Sequence, residues 1–195
     1  MKKILFIIVC ILCAINLFAQ NSYFVDKKGN RTNMENESVN IILIDKRISY
    51  SLPGKTWEKY VKFDDLDYAV VGPSLLKSFK LNNKKPSRVF FILGEKEDKQ
   101  LIGVKITTTT TSEKGNTIYS NDFYQLIVID KDQMIIEDLS FNLSSRGKKV
   151  GKGNEVAPMI EKYFSDCPDV MAKLEKYRAS ILDFFTDTTY INCKK

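Results

Sequence analysis

Three short runs of carboxylates are the sequence's candidates for acid–base chemistry: Asp64, Asp65 and Asp67; Asp130 and Asp132; Glu137 and Asp138. Glycosidic bond cleavage needs two carboxylates facing each other across about 5–10 Å. Neighbouring acids at strand ends more often form solvated turns, so these runs support a histidine-free, carboxylate-based hydrolase only as an alternative. "DKDQ" at Asp130 opens like a calcium loop but lacks the third acidic ligand, the glycine and the terminal glutamate. The chain has no histidine, which excludes Ser-His-Asp and Cys-His catalysis and every His-bearing zinc or non-haem iron site. No catalytic residue, metal-ligand set or cofactor is assigned.

A second candidate is "RGKKVGKG", with Lys148, Lys149 and Lys152 among Gly147, Gly151 and Gly153. A Walker loop needs four residues between its glycines, then Lys and Ser/Thr. Here three separate Gly147 from Gly151, and Gly153 stands where Ser/Thr belongs. The run reads as a mobile basic linker whose three lysines are candidate contacts for an anion.

The compartment follows from residues 1–19. Lys2 and Lys3 precede an uncharged apolar run from Ile4 to Phe18, and Ala19 is a small residue before Gln20. That is the layout of a signal peptide, and an exported chain starting at Gln20 is expected, with no transmembrane span after cleavage. Cys10 and Cys13 leave with the leader, and the formal net charge falls from +6 to +4. So modest a charge gives solubility and weak attraction to anionic surfaces. Nucleic acid is not an expected partner.

The elements that must position any site are mostly strands. "SYFV" precedes a turn at Gly29, "SVNIILI" (38–44) and "RISYSL" (47–52) form a hairpin, and "WEKYVKF" alternates with Trp57, Tyr60 or Val61, and Phe63 inward. "YAVVG" and "SLLKSFKL" follow, the second of either type. "SRVFFILG" (87–94) is apolar enough for a strand buried on both faces. Two long runs around "EKGN" make a hairpin that includes the Thr107–Thr111 run, a strand face rather than helix. "MIIEDLSFNL" is one more strand. Eight to ten strands joined by short connections mean antiparallel pairing.

After a basic linker at 144–154 the period lengthens. Met159, Ile160, Tyr163 and Phe164 share one face of a short helix with Pro158 in its first turn. Val170, Leu174, Tyr177, Ile181 and Phe184 stripe a longer helix, with Lys173, Glu175, Lys176 and Arg178 on its other face. Tyr177 and Ile181, in mid-stripe, are expected to be buried on the sheet. The fold expected is α+β: an antiparallel, strongly curved or partly closed sheet (22–141) followed by two C-terminal helices (156–195) packed on it, in one domain spanning 20–195.

Cys167 and Cys193 are the only cysteines left after the leader, and an exported compartment permits oxidation. A helix over about 168–185 would run about 27 Å, and eight extended residues of "TDTTYINC" reach about 26 Å back. A Cys167–Cys193 disulfide is therefore expected. The alternative is a low-pKa redox thiol at a helix start, although such a site more naturally has its partner two residues away.

The leader ending "LFAQ", the opening "SYFVDKKGN", and the tail with Tyr163-Phe164, Asp166-Cys167-Pro168 and Tyr190-Ile191-Asn192-Cys193 together resemble small, uncharacterised secreted proteins of Bacteroidota bacteria. The resemblance lies mainly in the tail. It implies residence in the cell envelope and a one-domain α+β build, and no activity. The functional expectation is a non-catalytic binding or interaction protein, secreted or periplasmic, whose partner is an envelope protein, a glycan or a small apolar ligand. The alternative with a ligand is a lipocalin-like carrier, since a strand meander followed by a helix also reads that way.

Overall fold

In a strand, successive side chains point to opposite faces, and the long hairpin buries both. This computed structural model describes residues 22–43, 45–84, 87–111, 117–144, 149–151 and 153–193. Along β10 (Thr117–Asp130), Tyr124, Leu126 and Val128 enter one core while Ile127 and Ile129 enter another. β10 pairs with β9 (Lys99–Thr111) and β11 (Ile135–Ser144), both antiparallel.

The remaining strands are β1 (Tyr23–Asp26), β2 (Arg31–Asn33), β3 (Asn40–Ile42), β4 (Arg47–Ser51), β5 (Glu58–Lys62), β6 (Leu66–Val71), β7 (Ser74–Phe79), β8 (Arg88–Glu95) and β12 (Lys149–Gly151). Nine form one antiparallel sheet in the order β12-β11-β10-β9-β8-β7-β6-β1-β2, and β3-β4-β5 form a second. The large sheet does not close into a barrel. The turn between β1 and β2 uses Gly29 at φ +85°, as the "DKKGN" run implies.

The helical part covers one face. α1 (Val156–Phe164) and α2 (Pro168–Lys176) bury Val156, Met159, Ile160, Phe164, Val170 and Leu174 against Leu93, Leu101, Leu126 and Val128. The approach is closest at Gly94, where a Cβ would lie 2.9 Å from Val170 Cγ2 and 3.4 Å from Phe164 Cε1. A side chain there would push the helices off the sheet. The opposite face carries Phe90, Ile92, Ile102, Val104 and Ile127. Beside them the small sheet packs Ile48, Tyr50 and Val61 against Leu66, Ala69 and Leu76.

Several expectations change. Twelve strands are present among the described residues rather than eight to ten. Trp57 and Tyr60 are 55% and 57% exposed, with Lys55 and Arg47 stacked over their rings, and Val61 and Phe63 alone turn inward. Trp57 precedes β5, and Tyr60 points to the face opposite the buried Val61. The basic run at 144–154 is not all linker. β11 extends to Ser144, Lys149–Gly151 pairs with it, and Gly153–Glu155 form a 3₁₀ turn.

The long C-terminal helix is broken. α2 ends at Lys176, turns follow, and only Asp183–Thr186 (α3) is helical again. Tyr177 and Ile181 are half-buried at the margin of the core instead of lying in mid-stripe, while Phe184 is fully buried. Lys173, expected on the polar face, is only 6% exposed. The break and the burial go together. Lys173 Nζ donates to the Asp187 backbone carbonyl and lies 3.9 Å from its carboxylate, which requires the chain to fold back over α2.

That lysine gives a test of the core. Burial lowers its pKa to about 8, outweighing the raising effect of Asp187, while Lys176 lowers it further. The ammonium also sits 4.7 Å above the Phe184 ring. Burial alone would raise the Asp187 carboxyl, yet it is held low by the Thr189 side chain, the Lys173 charge, the Tyr177 hydroxyl and the Thr189 amide. For Lys173 the folded value lies below the unfolded one. Between about pH 8 and 10.5 the unfolded chain keeps a proton that the folded chain has released, so stability rises with pH there. Relative to Lys173→Met, the wild type should gain up to about 3 kcal/mol across that window. Urea unfolding of both proteins at pH 7.5 and 10.5 measures the gain, and parallel pH curves would contradict it.

Candidate functional site

A groove of about 520 Å³ lies on the face of the large sheet opposite the helices. The floor comes from three neighbouring strands. Phe90 belongs to β8, Val104 and Ile106 to β9, and Phe123 and Gln125 to β10. Register places Ile106 opposite Phe123 and Val104 opposite Gln125, so alternate residues of adjacent strands present one continuous surface. Leu43 from the small-sheet side and Phe63 close the groove from above. The volume falls within the range of small-molecule sites, about 300–1,000 Å³, and so does the apolar lining with few polar groups.

Two of the polar side chains lining it, Ser87 and Gln125, have defined partners. Ser87 Oγ donates to Asp64 Oδ1 at 2.6 Å, and that bond is the main reason the Asp64 carboxyl titrates below its usual range. Gln125 Nε2 contacts both Asp138 oxygens at 3.1 and 3.0 Å. Lys46 holds φ +50° in the turn before β4, and its carbonyl accepts the Phe63 amide at 2.8 Å. Arg88 opens β8 beside Ser87.

Within the first carboxylate run, Asp64 and Asp65 share a depression with Asp26, Lys27, Lys28 and Lys62. Asp64 serves Ser87. Asp130 accepts the backbone N–H groups of Asp132 and Met134 at 2.8 and 2.9 Å, the arrangement of a turn. Glu137 and Asp138 are adjacent on β11 and point to opposite faces. Glu137 accepts Lys162 Nζ and the Tyr163 hydroxyl, both at 2.8 Å, whereas Asp138 faces Gln125. Among the described residues no group of three or more acids or cysteines is placed to hold a metal.

Of the three lysines expected to meet an anion, Lys148 and Lys152 lie outside the described residues. Lys149 belongs to β12 at the edge of the large sheet, opposite Leu143 in register. The nearest strand of the groove floor, β10, is two strands further in. The leader also lies outside the described residues.

Cys167 and Cys193 are joined, with their Cα atoms 5.5 Å apart. The route differs from the one expected, because the tail crosses the strand ends rather than running beside one long helix. Thr189 bridges to Ser74, Asn192 bridges to Glu95, and the Tyr190 hydroxyl donates to Glu95 Oε2 at 2.6 Å. No described helix is long and apolar enough to cross a membrane.

Sequence reasoning did not single out the groove residues. The one local signal is Gln125, a polar residue inside the apolar run "FYQLIVID" of β10. A larger depression of about 740 Å³ includes Tyr23, Arg31 and Tyr68, but it is more open. Its Arg31 is stacked 3.7 Å from the Tyr23 ring. No protein-family model, curated protein or solved structure matches the chain.

Proposed function

We propose that the protein is an exported, non-catalytic binding protein of the bacterial cell envelope that holds a small apolar ligand in the groove between its two sheets. The observation that carries this reading is the groove itself, an apolar floor built by three strands and covered by residues of another layer. The leader-like first 19 residues and the joined cysteines support export, since such pairs persist in oxidising compartments. The groups that line the groove favour binding over catalysis, because Ser87 and Gln125 are already tied to Asp64 and Asp138. An open sheet makes this a carrier of a different build from a lipocalin barrel.

The neutral dye N-phenyl-1-naphthylamine, which fluoresces in apolar surroundings, tests the reading. Wild-type protein should bind it with a micromolar Kd. Ile106→Trp fills the groove from a half-buried position and should weaken binding at least about tenfold, or about 1.4 kcal/mol. Circular dichroism should show the variant folded. Equal binding by the folded variant would place the dye elsewhere and remove the basis for the reading.

A further inference from the structure

The chemistry of the ligand can be narrowed, on the basis that the groove is the ligand site. We propose that the groove takes a single-chain amphiphile with an anionic head, its tail on the floor formed by Val104 and Phe123 and its head at Lys46 and Arg88.

Charge is the first reason. Among the described residues the charged side chains lining the groove are Lys46 and Arg88, with no carboxylate. A third depression, of about 470 Å³, shows the contrast. It is lined by Asp26, Asp64 and Asp65 as well as Lys27, Lys28 and Lys62, so its charges offset one another. Nearby acids are committed elsewhere. Asp45 pairs with Arg47 at 3.0 Å, and the Asp64 carboxylate, which accepts the Ser87 hydroxyl, has Lys27 and Lys80 near it to offset its charge. Among the described residues neither Lys46 nor Arg88 is in an ion pair.

Placement is the second reason. Lys46 is bonded through its carbonyl to the Phe63 amide. Arg88 follows Ser87, which is bonded to Asp64. Both cations therefore line the groove, each tied through the backbone or a neighbouring residue to the same short stretch, Phe63–Asp64. The left-handed backbone of Lys46 is a conformation that non-glycine residues adopt at a cost. Two backbone bonds, Lys46 N–H to Leu43 and Phe63 N–H to Lys46, fix it there at 3.2 and 2.8 Å. The remaining donors, Ser87 and Gln125, already serve acids, which leaves the two cations to receive a head group. Both cations are exposed, so the attraction is screened by water and salt.

Size selects one chain. At about 30 Å³ per heavy atom, the share of one water in the liquid, the 14 heavy atoms of dodecanoate need about 420 Å³. The groove offers about 520 Å³. A two-chain phospholipid would need roughly three times as much on the same basis.

Displacement of bound N-phenyl-1-naphthylamine by dodecanoate, dodecyl phosphate and dodecanol tests this, at micromolar concentrations and pH 7.5. Wild-type protein should prefer at least one of the two anions over dodecanol by about tenfold at low salt, and which anion wins separates a carboxylate from a phosphate head. Raising the salt to 0.5 M should shrink the preference, because screening is stronger there. In the double variant Lys46→Gln, Arg88→Gln the preference should fall below about threefold while dodecanol binds as before. Dodecanol equal to or better than both anions overturns the inference and leaves the groove reading standing. So does a preference that survives in the double variant. Failure of the dye to bind the wild type at all overturns the groove reading, and this inference with it.

Discussion

Replacing Cys167 and Cys193 together by serine is expected to lower the unfolding free energy by about 3–4 kcal/mol. The two cysteines are 26 residues apart, and closing a loop of that length removes about this much entropy from the unfolded chain. Cys167 is buried in the helix-side core, so a serine hydroxyl there adds a desolvation cost. The bond also secures the tail across the sheet. It follows the Thr189 and Asn192 bridges and the Tyr190–Glu95 hydrogen bond, and these should fray first when it is cut. Urea unfolding of oxidised and reduced protein measures the whole effect. Hydrogen exchange at the Tyr190 and Cys193 amides, which bond to Pro73 and Glu95, measures the fraying. A reduced protein within about 1 kcal/mol of the oxidised one would contradict the loop account.

Phe164→Ala should cost about 3–5 kcal/mol, the range for buried aromatics cut to alanine. Phe164 is fully buried at the end of α1 and packs where Gly94 lets the helices meet the sheet. The space it leaves cannot collapse easily, because Val170 already occupies the other side of Gly94. Lys96 adds a smaller contribution, its ammonium lying 5.8 Å over the ring. Phe164→Leu keeps most of the volume and should cost under about 1.5 kcal/mol. Denaturant midpoints of the two variants separate the outcomes, and similar small losses in both would mean that the helices do not depend on this contact.

What the sequence made legible was local periodicity. β8 and the β9–β10 hairpin read correctly because their apolar runs are long and bounded by turn residues. α1 and the start of α2 read correctly because Pro158, Pro168 and Asp169 mark helix starts. Contacts between distant segments were not legible. Trp57 and Tyr60 are aromatic like core residues, but Trp57 lies before β5 and Tyr60 is on its face opposite Val61. The stripe through Tyr177 and Ile181 suggested one long helix, because nothing local announces that Asp187 must return to Lys173. The groove is hidden for the same reason. Its floor residues look like ordinary core, and only the packing of a second sheet leaves space above them. Lys46 and Arg88 are 42 positions apart in the sequence and line the same groove.

The most direct test of ligand binding in the groove is a methyl NMR titration with dodecanol, a neutral ligand that needs no head-group contact. The expected result is saturable shifts confined to Leu43, Val89, Val104 and Ile106. Leu93, Val128 and Val170 on the helix side should stay unchanged. Shifts centred on the helix side, or none at all, would contradict the account.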